Sequence, residues 1–272
     1  MRKDILKGIL IGSGIFLTIA GIFSSCVRER DIDTSISTDH TMGEYIYTNA
    51  LDIAFDASSK STNDHLAYFG ACETIVHDKV SFPRTIKVMY GSADCLCLDG
   101  RTRSGTILVS YTGNNYSDSS GTVLVTFEDY KIDGYQIFGQ IAVNNKGRNK
   151  KSQPNYELKI AGKYLKPLVL DTLIWGAEQI KTHVAGSESA NYDDDLYEYD
   201  GTGHGMNEYQ VYYATNIISP VTKYPDCKYF KSGKIEQQPQ GHSLRTIDYG
   251  DGTTCDDDAT VVFNTKSYNI KL

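Results

Sequence analysis

Apolar and polar positions divide the chain into stretches with different periods. Residues 8–23 form a predominantly apolar run of Ile, Leu, Phe, Ala and Gly, preceded by Arg2, Lys3 and Lys7 and closed by Ser24-Ser25-Cys26. Residues 27–43 (VRERDIDTSISTDHTMG) are polar and show no period. From Glu44 to Asp56, Ile46, Ala50, Ile53, Ala54 and Phe55 recur near helical spacing, which predicts one amphipathic helix. Beyond Ala71 the period falls to two. Runs such as RTIKVMY (84–90), GTILVSYT (105–112), GTVLVTFEDY (121–130), YQIFGQIAV (135–143), YELKIAG (156–162), EYQVYYATNI (208–217) and ATVVF (259–263) are separated by turn-forming NNYSDSSG, KIDG, DGTGHG and GDGTT. Alternation punctuated in this way predicts strands joined by short turns. The expected fold is mainly β, an antiparallel meander or sandwich-like sheets, with one short N-terminal α-helix.

These shifts set the expected boundaries: a signal peptide over 1–25, a flexible tether over 26–43, a helical segment over 44–70, a first β module over 71–165 and a second over 166–272, the two modules able to form one continuous domain. The leader has the layout of a lipoprotein signal, with a basic start, an apolar core and small residues before a cysteine. Its core of about 16 residues is short of the roughly 20 that cross a bilayer. Cys26 is therefore the expected lipidation site, and the membrane the expected partner through that anchor. Each buried methylene of an acyl chain contributes about 0.8 kcal/mol, so several chains together hold firmly. The expected location is the outer membrane or cell surface.

Charge and cysteine count refine this picture. Cutting before Cys26 removes Arg2, Lys3, Lys7 and Asp4, which moves the formal net charge from −7 to −9. An acidic body argues against nucleic acid as a partner. Twenty tyrosines accompany a single tryptophan, Trp175; tyrosine suits half-buried strands and amphipathic contact surfaces. Export places Cys72, Cys95, Cys97, Cys227 and Cys255 in an oxidising space, where five thiols form at most two internal bridges.

A repeat orders those cysteines. From Cys72 the chain reads C-ETIVHDKVSFP-RTIKVMYG-SADC, and from Cys227 it reads C-KYFKSGKIEQQPQGHSL-RTIDYG-DGTTC. Each copy holds a cysteine, a strand, Arg-Thr-Ile, Tyr-Gly and a second cysteine, a shared order that points to duplication. The expected result is two stapled strand pairs, Cys72 with Cys95 or Cys97, and Cys227 with Cys255. The competing arrangement is a thiolate metal site built from Cys72, Cys95 and Cys97 with His77.

The arrangement FPRTI…YG…C…DGRTRSGTILVSYTG, then DGYQIFGQIAVNN, ending in RTIDYGDGTTCDDDATVVFNTKSYNIKL, resembles a group of uncharacterised lipoproteins of Bacteroidetes. The resemblance covers most of residues 70–272 and carries no established activity. It departs at Val88-Met89-Tyr90, where the group's aspartate is missing, and in the doubled Cys95/Cys97. The charged Arg28-Glu29-Arg30-Asp31 resembles the group's surface-export signals, and Asp171-Thr172-Leu173 resembles a short O-glycosylation acceptor.

Candidate chemistry is sparse. The acids Asp193, Asp194, Asp195, Glu198 and Asp200 read as a solvated loop beside DGTGHG, and Gly250-Asp251-Gly252 as hairpin turn chemistry. His204 lies between glycines with no partner at a diagnostic spacing. HExxH, GxSxG and phosphate-cradling glycine loops are absent from the sequence. Arg101 and Arg103 in DGRTRSG suit an anion, or pairing with nearby acids. No catalytic residue, metal or cofactor is expected. The expected function is structural, or binding of a ligand, glycan or host surface; the alternative is a carbohydrate- or peptide-acting hydrolase whose carboxylate pair assembles only in three dimensions.

Overall fold

The computed structural model describes residues 32–59, 72–114, 118, 121–169, 171–189, 194–225 and 227–272, so the leader and Cys26 lie outside the described residues. One helix, α1 (Ser35–Ser59), precedes the strands β1 (Thr74–Asp78), β2 (Arg84–Leu96), β3 (Thr102–Tyr111), β4 (Thr122–Ile132), β5 (Tyr135–Arg148), β6 (Pro154–Leu165) and β7 (Thr172–Ala185). They continue as β8 (Leu196–Met206), β9 (Tyr212–Lys223), β10 (Ser232–Pro239), β11 (Arg245–Asp251), β12 (Asp258–Phe263) and β13 (Lys266–Lys271). Each strand pairs antiparallel with the next in chain order, giving one open thirteen-stranded meander with β1 and β13 at its edges.

The two expected β modules, 71–165 and 166–272, meet in one continuous sheet, the arrangement the sequence left open. From Asn155↔Thr182 to Leu165↔Thr172 the β6–β7 ladder runs without a register shift, so the two halves share one sheet. Alternation sets its faces. On β4, Val123 and Val125 turn inward while Thr122 and Leu124 face out. On β7, Leu173, Trp175 and Ala177 turn inward, followed by the polar Gln179 and Lys181.

What the inner face covers is α1. Its side chains meet Arg103 of β3, the Phe138 carbonyl of β5, Trp175 of β7, Gln237 of β10 and Tyr249 of β11, so the sheet curls around the helix on several sides. The tightest approach is at Tyr47. Its hydroxyl lies 2.8 Å from the Phe138 carbonyl and 3.1 Å from that of Lys163, over the directly paired Gly139 and Gly162. Gly139 holds φ +109°, and a Cβ on Gly162 would collide with the Tyr47 ring. Glycine at 162 lets the helix sit this close, while at 139 the positive φ and the nearby Ala161 carbonyl of β6 call for glycine. The same ring stacks on Trp175 at 5.3 Å.

Two expectations about elements need correction. Of the tether expected over 26–43, residues 35–43 are helical, since α1 begins at Ser35. The Asp33 carboxylate accepts from the Ser35 backbone N–H at 2.8 Å, near the helix start. DGTGHG (200–205), expected as a turn, is the interior of β8. Glycine there is tolerated because neighbouring rings fill its space: Tyr213 pairs with Gly205 and covers it.

Candidate functional site

The two stapled hairpins form as the repeat predicts. Cys72 joins Cys95 (Cα–Cα 6.0 Å) and Cys227 joins Cys255 (5.6 Å), one bridge for each of the β1–β2 and β10–β11 hairpins. In both, Arg-Thr-Ile opens the second strand and its isoleucine, Ile86 or Ile247, is fully buried. Cys95, not Cys97, is the partner of Cys72; Cys97 is a free thiol in the interior. The thiolate metal arrangement is thereby overturned, since two of its sulfurs are oxidised and the His77 ring is 2.6 Å from the Tyr111 hydroxyl. Among the described residues no three His, Cys, Asp or Glu side chains are grouped to hold a metal ion.

The other singled-out residues disperse. Arg101 meets Asp133 at 2.7 Å and also donates to the Tyr229 hydroxyl. Arg103, wholly buried, forks onto both oxygens of Asp99 at 2.8 and 2.6 Å and reaches Asn49 of α1. Neither is turned to an external anion. Asp195 meets His183 and Tyr197, and Asp194 meets Ser189; Asp193 lies outside the described residues. His204 is exposed on the outer face of β8, over Gly176. Gly250 and Asp251 end β11, and the Asp251 carboxylate caps Thr253 in a loop longer than a hairpin turn.

The chemistry that sequence reading missed sits on the first three turns of α1, with Asp39 and His40 inside the expected tether and Glu44 at the expected helix start. The Trp175 indole donates to His40 Nδ1 at 3.1 Å. An indole only donates, so Nδ1 is unprotonated and the neutral ring carries its proton on Nε2. Burial holds the imidazole down to a pKa of about 3. Its contact with Glu44 at 3.8 Å is therefore not an ion pair. Glu44 accepts from Tyr249 at 2.7 Å and from Gln179 at 3.2 Å, yet burial outweighs both bonds and pushes its carboxyl up to about 7.

One helical turn earlier, Asp39 and Glu208 share Lys166, each 3.0 Å from its ammonium. Burial first, and the Glu208 carboxylate beside it, push Asp39 up to about 6 against the pull of Lys166. Burial works upward on Glu208 too, but a backbone bond, Lys166 and the Asp39 carboxyl bring it below its ordinary value. Asp39 Oδ2 is buried with no hydrogen-bond partner among the described residues, in keeping with the upward push of burial on this carboxyl. Further along α1, Asp52 faces Lys181 at 3.2 Å and Lys223 at 3.8 Å, and burial pulls the Lys223 ammonium down.

These groups have the types of acid–base chemistry but little room for it. The crevice between α1 and the β9–β11 side, lined by Thr41, Tyr45, Thr48, Phe230 and Tyr249, encloses about 10 Å³, enough for one water. A groove of about 240 Å³ crosses β2–β4 beside Thr85, Lys87, Leu108, Ser110 and Thr126. Exposed apolar side chains gather elsewhere, at turn tips: Leu168 and Val169 between β6 and β7, Tyr209 between β8 and β9, Val80 and Phe82 between β1 and β2. Among the described residues no helix is long and apolar enough to cross a membrane. The chain matches no protein-family model, no curated protein and no solved structure.

Proposed function

We propose that the chain is a lipid-anchored cell-envelope or cell-surface protein whose body serves structure or recognition of a ligand, glycan or host surface, rather than catalysis. The leader ending in Cys26 supports the anchor. The observation that carries the rest is the sealing of His40 and Glu44 between α1 and the sheet beside a crevice of about 10 Å³. Groups placed there stabilise a wound sheet and do not meet a substrate. The groove on β2–β4, beside the hydroxyls of Thr85, Ser110 and Thr126, offers a surface for a small ligand.

Cys26→Ala tests the anchor: the variant should leave the membrane fraction and lose acyl labelling, and unchanged retention would contradict lipid attachment. A second reading as a hydrolase draws on Asp39 and Glu208, two carboxyls pushed apart in pKa around one lysine. A glycosidase or peptidase activity that Glu208→Gln abolishes, with folding unchanged, would favour it over recognition.

A further inference from the structure

We propose that the exposed apolar turn tips at the α1 N-terminal end dock onto the surface of the lipid bilayer that holds the anchor. This rests on the reading of Cys26 as the lipidated residue. Six residue steps separate Cys26 from Ile32, a reach of at most about 22 Å even fully extended. The start of α1 is thus held close to the membrane, and so are the turns that touch it. Those contacts are direct. Lys166, at the foot of the β6–β7 turn, binds Asp39 of α1 and Glu208 of the β8–β9 turn. Arg245, next to the β10–β11 turn, donates to the Asp33 carbonyl at 2.7 Å, and the Gln240 N–H donates to the Tyr212 carbonyl at 2.8 Å.

The tips of these same three turns carry apolar groups: Leu168, Val169, Tyr209, Tyr212 and Leu244. Leu168 is 99 % exposed and holds φ +69°, a conformation better suited to glycine or asparagine. Aliphatic tips beside tyrosines fit the boundary between headgroups and acyl chains, where an amphipathic ring keeps its hydroxyl wet. The opposite ends of the strands also expose apolar groups, Val80 and Phe82 of the β1–β2 turn, but set them among charged turns. The β5–β6 turn presents Lys150 and Lys151, and the β11–β12 loop presents Asp256 and Asp257. The acidic chain disfavours anionic lipid as the target, so an uncharged-surface bilayer is the partner that fits.

The test uses the full lipidated chain with one added tryptophan, Leu168→Trp, Tyr209→Trp or, as the control at the far end of β6, Lys151→Trp. Each is reconstituted on vesicles of phosphatidylcholine brominated near the headgroup, and the emission of native Trp175, buried in the interior, is subtracted. Tryptophan at 168 and 209 should shift to the blue and lose intensity by bromine quenching, while tryptophan at 151 should not change. Vesicle flotation with no quenching at 168 or 209 overturns the docking and leaves the anchor standing. Failure of the wild-type chain to float overturns the anchor, and the docking with it. A blue shift that grows with protein concentration without bromine quenching would place a second copy on the tips and also overturn the proposal.

Discussion

The two halves of α1 are held by different forces, although one sheet wraps both. From Tyr45 to Ser58 the buried side chains are chiefly apolar: Ile46, Ala50, Leu51, Ile53, Ala54 and Ala57 are all sealed in the core. From Ser35 to Glu44 the buried set is mostly polar, with Ser37, Asp39, His40, Thr41 and Glu44. Burial of apolar area stabilises the first set without regard to partners. The second set costs stability unless each group finds a partner, and the partners come from far along the chain: Gln237 for Ser37, Trp175 for His40, Tyr249 and Gln179 for Glu44. A helix can thus be fixed in place by polar contacts as well as by greasy ones, provided the sheet supplies matching groups.

Predictions follow that strain the two halves differently. The largest effect is expected where the apolar half carries its own polar exception. Arg103→Leu leaves Asp99 buried without its forked partner and strips Asn49 of a donor. We predict a loss of about 3–5 kcal/mol in denaturant unfolding. A loss below about 1 kcal/mol, the scale of an exposed pair, would show that this grip is dispensable.

The polar half should reveal itself through pH. Glu44 and Asp39 keep their protons in the fold up to about 7 and about 6, while in the unfolded chain they release them near 4.5 and 3.8. Folding therefore takes up protons, and their contribution rises as pH falls from 8 towards 5. His40 runs the other way: its folded pKa of about 3 lies below the ordinary 6.5, so its contribution is lost as pH falls through that interval. Two carboxyls outweigh one imidazole between pH 8 and 5, and we predict greater stability at pH 5 than at pH 8. Glu44→Gln keeps an acceptor for Tyr249 and removes the cost of a buried charge. It should stabilise the protein at pH 8 by up to about 3 kcal/mol and flatten the pH profile. An unchanged profile would mean that Glu44 does not titrate in this range.

The smallest effect tests a single contact. Ser37→Ala removes the hydroxyl that donates to Gln237 at 2.6 Å, and should cost about 1–2 kcal/mol. A neutral substitution would place the first turn of α1 outside the cooperative core.

The same contrast explains what the sequence revealed. The apolar half of α1 was legible because Ile46, Ala50, Ile53 and Ala54 repeat at helical spacing, whereas SISTDHTMG has no apolar stripe and reads as tether. Strand alternation exposed most of the meander. It failed at β8, where Gly201, Gly203 and Gly205 imitate a turn and the groups that fill their space, the β7 backbone at Glu178, the Thr215 hydroxyl and the Tyr213 ring, lie on neighbouring strands. The stapled hairpins were legible in the order of the cysteines, but the choice of Cys95 depended on where β2 ends: Cys95 lies on the strand, and Cys97, just past it, is buried in the interior. The His40–Glu44 and Asp39–Lys166–Glu208 groups left no local signal, since their members are scattered from residue 39 to residue 249.

Amide hydrogen exchange over residues 36–44 tests the central claim most directly, because it asks whether the polar half of α1 belongs to the core. The fold described here predicts exchange as slow as in the β6–β7 ladder. Exchange at the rate of an unstructured chain would return these residues to a tether and undo the polar packing around them.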